Sequence, residues 1–264
     1  MSKILQSSME KVRAKKHLGQ HFLTDLRVAE RIAMVHLEKN EDLPVLEIGP
    51  GMGVLTQFLL TKHPGKIHVA EIDRDSVAYL KTHFPDLTPN IHEGDFLRMN
   101  PNEWMDGAFS VVGNYPYNIS SQILFKAIEN RENIPLVSGM FQREMAQRVA
   151  AGPGSKTYGI LSVLMQAFYD IEYCFTVNEG AFNPPPKVKS GVIRCVRKPK
   201  DLWPNCSEKS LFIVVKTAFN QRRKMLSNSL KSLTFTEEIP KEWQTLRPEQ
   251  LTLEQFVAIA QRLA

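Results

Sequence analysis

Asn114-Tyr115-Pro116-Tyr117 puts a side-chain amide, a proline and two aromatic rings into four consecutive residues. An asparagine oxygen can accept N–H hydrogens, a proline stiffens the backbone that presents a neighbouring carbonyl, and a tyrosine ring offers a face for a planar base. That set suits an exocyclic aromatic amine such as that of adenine, whose lone pair is delocalised into the ring. Two acceptors on its N–H hydrogens, the Asn114 oxygen and a fixed carbonyl, favour a more tetrahedral and more nucleophilic nitrogen. Attack on a good leaving group then needs positioning and electrostatics rather than a general base. Asn-x-Pro-x is also a common turn, so its placement decides its weight.

Phe182-Asn183-Pro184-Pro185-Pro186-Lys187-Val188-Lys189-Ser190 forms a second constellation. Its prolines stiffen the approach to a strand and are expected to hold Phe182 opposite Tyr117, where the two rings would sandwich a base; the bland alternative is Phe182 as a core plug. Lys187 and Lys189 would meet phosphates. A third set is Gly49-Pro50-Gly51-Met52-Gly53, flanked by Glu47, Glu71 and Asp95. The spacing is GxGxG, not the GxGxxG of dinucleotide sites, and the acids suit a cation better than a pyrophosphate. S-adenosylmethionine, a sulfonium with an excellent leaving group, is the expected cofactor. Glu71 is expected to take the ribose hydroxyls and Asp95 the adenine amine with Phe96 close by, while Glu47 would orient the loop by accepting backbone N–H groups.

The elements that must position these residues follow from the apolar pattern. Residues 43–48, 66–72 and 109–113 read as buried strands, each followed by a turn and a helical stretch at 54–61, 75–83 and 120–129. Strand and helix alternating implies a parallel sheet covered on both faces, with ligands at the carboxyl ends of its strands. The glycine loop and Asn114 both fall at such ends. Residues 135–141, 171–177 and 188–196 read as further strands closing the sheet in antiparallel fashion, with a helix at 158–168. Helical periodicity at 211–219, 224–233 and 251–263 marks a small second unit.

Charge is distributed unevenly within a net +5. Residues 1–24 carry +4, residues 25–180 carry −7 and residues 181–264 carry +8. Clusters at Lys11, Arg13, Lys15 and Lys16, at Lys187, Lys189, Arg194, Arg197 and Lys198, and at Arg222, Arg223 and Lys224 fit a polyanion track. Three cysteines without CxxC spacing and seven scattered histidines predict free thiols and no metal. No apolar run approaches membrane-spanning length and the amino terminus has no signal-peptide core, so a cytoplasmic protein is expected.

KKHLGQHFL, EIGPGMG, NYPYNIS, Gly152-Pro153-Gly154-Ser155-Lys156-Thr157-Tyr158-Gly159 and FNPPPKVKSGV, in this order, resemble the small-subunit ribosomal RNA adenine N6,N6-dimethyltransferases, the family known from kasugamycin resistance. The resemblance implies a class I methyltransferase fold and dimethylation of two adjacent adenosines in the 3′-terminal hairpin of 16S rRNA during small-subunit assembly. It implies cofactor contacts at His21, Leu23, Gly49, Glu71, Asp95 and Asn114, joined by Gly51 from the loop reading. Position 21 is usually Asn in that family and position 115 usually Leu; Tyr115 leaves the backbone carbonyl intact. Asn114, Tyr115, Pro116, Tyr117 and Phe182 are the catalytic candidates, and Lys15, Lys16, Lys187, Lys189, Arg222, Arg223 and Lys224 the RNA-binding ones. The expected organisation is an S-adenosylmethionine-dependent methyltransferase domain with a basic arm over 1–198 and a helical RNA-binding domain over 199–264, acting as a monomer on an immature small subunit. Rival readings are a 23S rRNA adenine methyltransferase of the macrolide-resistance type and a mainly structural rRNA-binding assembly factor. A DNA adenine methyltransferase and a nicotinamide oxidoreductase are less favoured.

Overall fold

The computed structural model describes residues 12–199, 203 and 206–264; Lys11 of the first basic cluster lies outside them. The strands in chain order are β1 (Phe22–Leu23), β2 (Val45–Ile48), β3 (Ile67–Glu71), β4 (Ile91–Glu93), β5 (Ser110–Asn114), β6 (Leu136–Gln142), β7 (Tyr169–Val177), β8 (Phe182–Asn183) and β9 (Ser190–Arg197). The helices are α1 (Leu26–Leu37), α2 (Thr56–Lys62), α3 (Arg74–His83), α4 (Ser120–Glu129), α5 (Arg143–Ala150), α6 (Ile160–Phe168), α7 (Glu208–Asn220), α8 (Leu226–Ser229), α9 (Lys241–Gln244) and α10 (Leu253–Ala260).

Seven strands form one sheet in the order β4-β3-β2-β5-β6-β9-β7. The first five run parallel, and β9 pairs antiparallel with both β6 and β7. The chain builds outward from β2 on one side and from β5 on the other, so a crevice opens at the carboxyl ends of β2 and β5, where such sheets bind ligands. The fold is thus α/β with a mixed, mostly parallel sheet, and β2 and β5 are buried throughout except for Asn114.

One face of that sheet is closed by α1. Asp25 caps it by accepting from the backbone N–H groups of Arg27 and Val28, and Ala29, Ile32, Ala33 and His36 form its buried stripe at helical spacing. His36 is fully buried, and burial pushes its imidazole down to about 3, so it is neutral. Ser110 Oγ donates to Asn40 Oδ1 and therefore accepts from His36 Nε2 (2.8 Å), which leaves His36 Nδ1 to accept from Ser138 Oγ (2.8 Å). The chain places a hydrogen-bonded imidazole where apolar periodicity calls for an aliphatic group.

The neighbouring ends of β5 and β6 approach closely at two glycines. A Cβ on Gly139 (φ 141°) would lie 2.2 Å from the Gly113 carbonyl oxygen and 2.7 Å from the Tyr115 ring. The space left by both glycines admits that ring, which is 1% exposed, packs on Phe141 and donates from its hydroxyl to Ser138 O at 2.7 Å.

After β9 the elements are helical. Ser207 caps α7 by accepting from Ser210 N–H, and Leu211, Val214, Ala218 and Phe219 join Leu161, Val163 and Leu164 of α6 in one apolar cluster with Phe256 of α10. The carboxyl-terminal helices therefore share a core with the sheet. The helix expected over 224–233 shrinks to four residues; Ser227, Asn228 and Ser229 are weak helix formers. Among the described residues no helix is long and apolar enough to cross a membrane.

Glu47, the third residue of β2, is 1% exposed and accepts from Thr56 Oγ1 at 2.7 Å at the start of α2. Burial pushes its carboxyl up to about 8, with the Thr56 bond opposing and the nearby Glu71 adding to the rise. A carboxyl raised in the folded state keeps its proton there while the unfolded chain loses it, so stability falls as pH rises from the ordinary value of 4.5 toward about 8. Glu47→Gln should remove this contribution, flattening the wild-type stability profile by up to about 1.4 kcal/mol per pH unit across that window. Urea denaturation at pH 5, 6.5 and 8 measures it, and equal slopes in the two proteins would contradict the assignment.

Candidate active site

A cavity of about 180 Å³ opens at the carboxyl ends of β2, β3 and β5. Gly49, Gly51, Glu71, Ile72, Asp95, Phe96 and the whole of Asn114 to Ile119 line it, and residues 17–22 fold over it as a wall. Among the described residues its lining contains Glu71 and Asp95 and neither lysine nor arginine. A cavity with this balance suits a cation and disfavours a pyrophosphate.

The glycine loop approaches closely because its residues adopt a backbone that side chains resist. Gly49 and Gly51 have φ of 67° and 56°, and a Cβ on Gly51 would lie 2.9 Å from the Phe22 ring. Glu71, at the last position of β3, accepts from the backbone N–H of Gly51 (3.0 Å) and of Asp73 (2.8 Å). Burial pushes its carboxyl up and these backbone bonds pull it back, the net direction being upward. The loop-orienting role expected of Glu47 therefore falls to Glu71, because Glu47 points at Thr56. Asp95 accepts from Leu97 N–H at 3.0 Å, which fixes its turn, and lies 3.5 Å from Arg98 Nε.

Asn114 is the last residue of β5, one position further than the expected strand end. Its Nδ2 donates to the carbonyl of His21 at 3.0 Å. That bond fixes which end of the amide is oxygen, and Oδ1 remains as the acceptor beside the cavity. His21 Nδ1 in turn donates to the Pro184 carbonyl at 2.8 Å, and its ring stacks on Tyr117 with centroids 5.6 Å apart. The Tyr117 hydroxyl meets Ser190 Oγ at 2.6 Å. Pro116 is close to the glycine loop, its Cδ 3.9 Å from where a Gly49 Cβ would stand.

Four of the expected site residues sit elsewhere. Phe182 pairs with Leu23 in the β1–β8 ladder, and both side chains are 4% exposed within an apolar cluster that includes Ala29, Val112 and Val192. Phe182 is thus packed as a core plug outside the main cavity's lining, and Leu23 lies behind the glycine loop, beside Glu47 and Pro50, rather than in that cavity. Lys15 is bonded to Asp73 and lies 2.7 Å from Asp75, so its ammonium is engaged at the cavity rim instead of on phosphate. Burial pushes the Asp73 carboxyl up, but bonds from Lys15, Gln20, Asp75 N–H and Ser76 outweigh it and hold it below its usual value. Arg222 donates to the Lys156 carbonyl at 2.6 Å and lies 3.8 Å from Glu249, which pins the 152–159 loop. By contrast Lys16, Lys187, Lys189, Arg223 and Lys224 are exposed.

Sequence reasoning passed over Gln20, Ile72 and Ser190. Gln20 accepts from Lys15 N–H and donates to Asp73, fastening the wall; its signal was its place inside KKHLGQHFL. Ile72, 49% exposed yet flanked by Glu71 and Asp73, lines the cavity as an apolar face. Ser190 closed the FNPPPKVKS run but carried no chemical signal of its own.

The family described as ribosomal RNA adenine dimethylase matches residues 11–263. A protein named ribosomal RNA small subunit methyltransferase A from Flavobacterium johnsoniae is 54% identical over 257 residues, covering 97% of each chain. The protein of the same name from Parabacteroides distasonis is 55% identical over 255 residues, covering 95% of this chain and 94% of its own. Among solved structures, a dimethyladenosine transferase from Plasmodium falciparum superposes with a TM-score of 0.73 at 23% identity over 90% of this chain and 96% of its own. The 23S rRNA methyltransferase ErmE gives 0.70 at 26% identity over 92% and 99%. With relatives more than half identical along nearly its whole length, and a family match spanning both the sheet and the carboxyl-terminal helices, the chain belongs to the ribosomal RNA adenine dimethylases, which are S-adenosylmethionine-dependent methyltransferases.

Proposed function

We propose that this protein transfers methyl groups from S-adenosylmethionine to N6 of two adjacent adenosines in the 3′-terminal hairpin of 16S rRNA, within an immature small subunit in the cytoplasm. The observation that carries the reading is Asn114 at the end of β5, its Nδ2 bonded to His21 O and its Oδ1 left as an acceptor beside an acid-lined cavity. The relatives' name supplies the small-subunit substrate.

The cavity's residues fit the cofactor. Gly49 and Gly51 let backbone approach it, Glu71 retains lone pairs for ribose hydroxyls beyond those given to Gly51 and Asp73, and Asp95 stands where an adenine amine can donate. Ile72 and Phe96 offer apolar surface to the adenine ring. S-adenosylmethionine supplies an electrophilic methyl on a positively charged sulfur. The Asn114 oxygen and the Tyr115 carbonyl accept the amine's hydrogens, the buried Tyr115 ring fixing that carbonyl, and the Tyr117 face stacks on the base. Departure of a proton after transfer relieves the charge on nitrogen, so no side chain is needed as a base.

RNA binding falls to the exposed cations. Lys16 directly precedes the cavity wall of residues 17–22, Lys187 and Lys189 stand just before Ser190, which is bonded to Tyr117, and Arg223 and Lys224 extend the footprint onto the helices after residue 198, the proposed RNA-binding unit. Exchange of Arg223 and Lys224 for alanine should weaken RNA binding and lower the salt slope by about 1 for each phosphate no longer neutralised. Arg222→Ala should instead lower the melting temperature, because that guanidinium holds the 152–159 loop. Filter binding across salt with parallel melting curves separates the two, and an unchanged slope in the double variant would remove the helices from the footprint.

Substrate and product are tested together by incubating the protein and labelled S-adenosylmethionine with small subunits lacking adenine dimethylation, with large subunits in parallel. Nucleoside mass spectrometry should find N6,N6-dimethyladenosine in small subunits alone. Label in large subunits would reassign the substrate to 23S rRNA, and tight binding without label would make the protein an assembly factor.

A further inference from the structure

The FNPPPKVKS segment reaches the cavity through a residue other than Phe182. Ser190 opens β9 at the same end of the sheet as Asn114, with its backbone paired to Gln142 on one side and Val177 on the other. It is 0% exposed, so its hydroxyl is held by a strand bonded on both edges. Tyr117 is in the opposite situation: it follows the end of β5 on the short loop before α4, it is partly exposed, and Ser120 Oγ bonded to its carbonyl at 3.1 Å secures only its backbone. A tyrosine tied at its backbone alone can swing about two side-chain torsions. The 2.6 Å approach of Tyr117 Oη to Ser190 Oγ, across 73 residues of sequence, ties the far end of the ring as well. The His21 ring, inclined at 29° with centroids 5.6 Å apart, packs on the same tyrosine.

We propose that Ser190 is a positioning residue for methyl transfer, its hydroxyl holding the Tyr117 ring in the orientation that meets the target base. The inference rests on the assignment of Tyr117 as the base-stacking face. It also explains why the proline-rich segment is fastened beside the cavity. The plug formed by Phe182 and the bond between His21 and Pro184 seat that segment, and Ser190 transmits the seating to the catalytic loop. The hydroxyl touches neither cofactor nor base and acts only through Tyr117, so its removal affects the rate of transfer and spares cofactor affinity.

The test is a double-mutant cycle on the full chain with undermethylated small subunits. Ser190→Ala, Tyr117→Phe and the pair are compared by single-turnover rate, by S-adenosylmethionine affinity from calorimetry and by melting temperature. Each single variant should lose about tenfold in rate, the equivalent of about 1.4 kcal/mol, with cofactor affinity within about twofold of wild type, and the pair should lose no more than either alone. Losses that multiply toward a hundredfold, or a Ser190→Ala rate equal to wild type, would overturn the proposal. Tyr117→Phe deletes the same bond from the more exposed side, so a wild-type rate there overturns it even where Ser190→Ala fails to fold. Tyr117→Ala separates stacking from positioning: a wild-type rate there overturns the stacking role of Tyr117 itself, whereas a large loss beside an intact Ser190→Ala overturns only the positioning role.

Discussion

The bond from Asn114 Nδ2 to the His21 carbonyl joins the end of β5 to a segment 93 residues earlier in the chain. Around it the proposed catalytic face is assembled. Asn114 could present either end of its amide to the cavity, and the backbone carbonyl of His21 accepts only from nitrogen, so the oxygen is left as an acceptor beside the cavity. The carbonyl is in place because β1 is laddered to β8 and because the His21 ring is anchored on Pro184. Three stretches distant in sequence, around residues 21, 114 and 184, thus converge on one acceptor atom. At β5 the same end is shaped by Gly113 and Gly139, whose missing side chains let the Tyr115 ring tuck beneath the loop.

Charge is sorted just as closely. Among the described residues the cavity lining holds carboxylates and no lysine or arginine, while Lys15 is paired with Asp73 and Asp75 and Lys16, Lys187 and Lys189 stay exposed outside the lining. Each acid near the glycine loop has a separate role: Glu47 is buried on Thr56, Glu71 grips the loop, Asp95 fixes its turn at the cavity edge, and Asp73 binds the wall through Lys15 and Gln20. A cationic cofactor is attracted to such a lining, and a polyanionic substrate is steered to the exposed cations outside it.

Much of this was legible in the sequence, and the exceptions have physical reasons. The strands around 43–48, 66–72 and 109–113 stood out because buried parallel strands are continuous apolar runs, and the antiparallel closure by β9 was anticipated. The α1 helix was overlooked although Asp25 caps it, since His36 occupies a core position and interrupts the apolar stripe. Short elements such as β4, with His92 and Glu93 on a sheet edge, carry too little pattern to be seen. Residue types at the site were readable, but pairings were not. Lys15 and Arg222 look like their exposed neighbours until Asp73 and the 152–159 loop are brought beside them, and Phe182 looks like Tyr117 until its burial is known.

Asn114, oriented by His21, is assigned to accelerating transfer and not to binding. Single-turnover methylation by Asn114→Ala, with cofactor and RNA affinities measured on the same preparation, tests this most directly. The rate should fall by about a thousandfold, the scale of losing a preorganised acceptor, with both affinities within a few-fold of wild type. A rate near wild type, or a loss explained entirely by weaker binding, would contradict it.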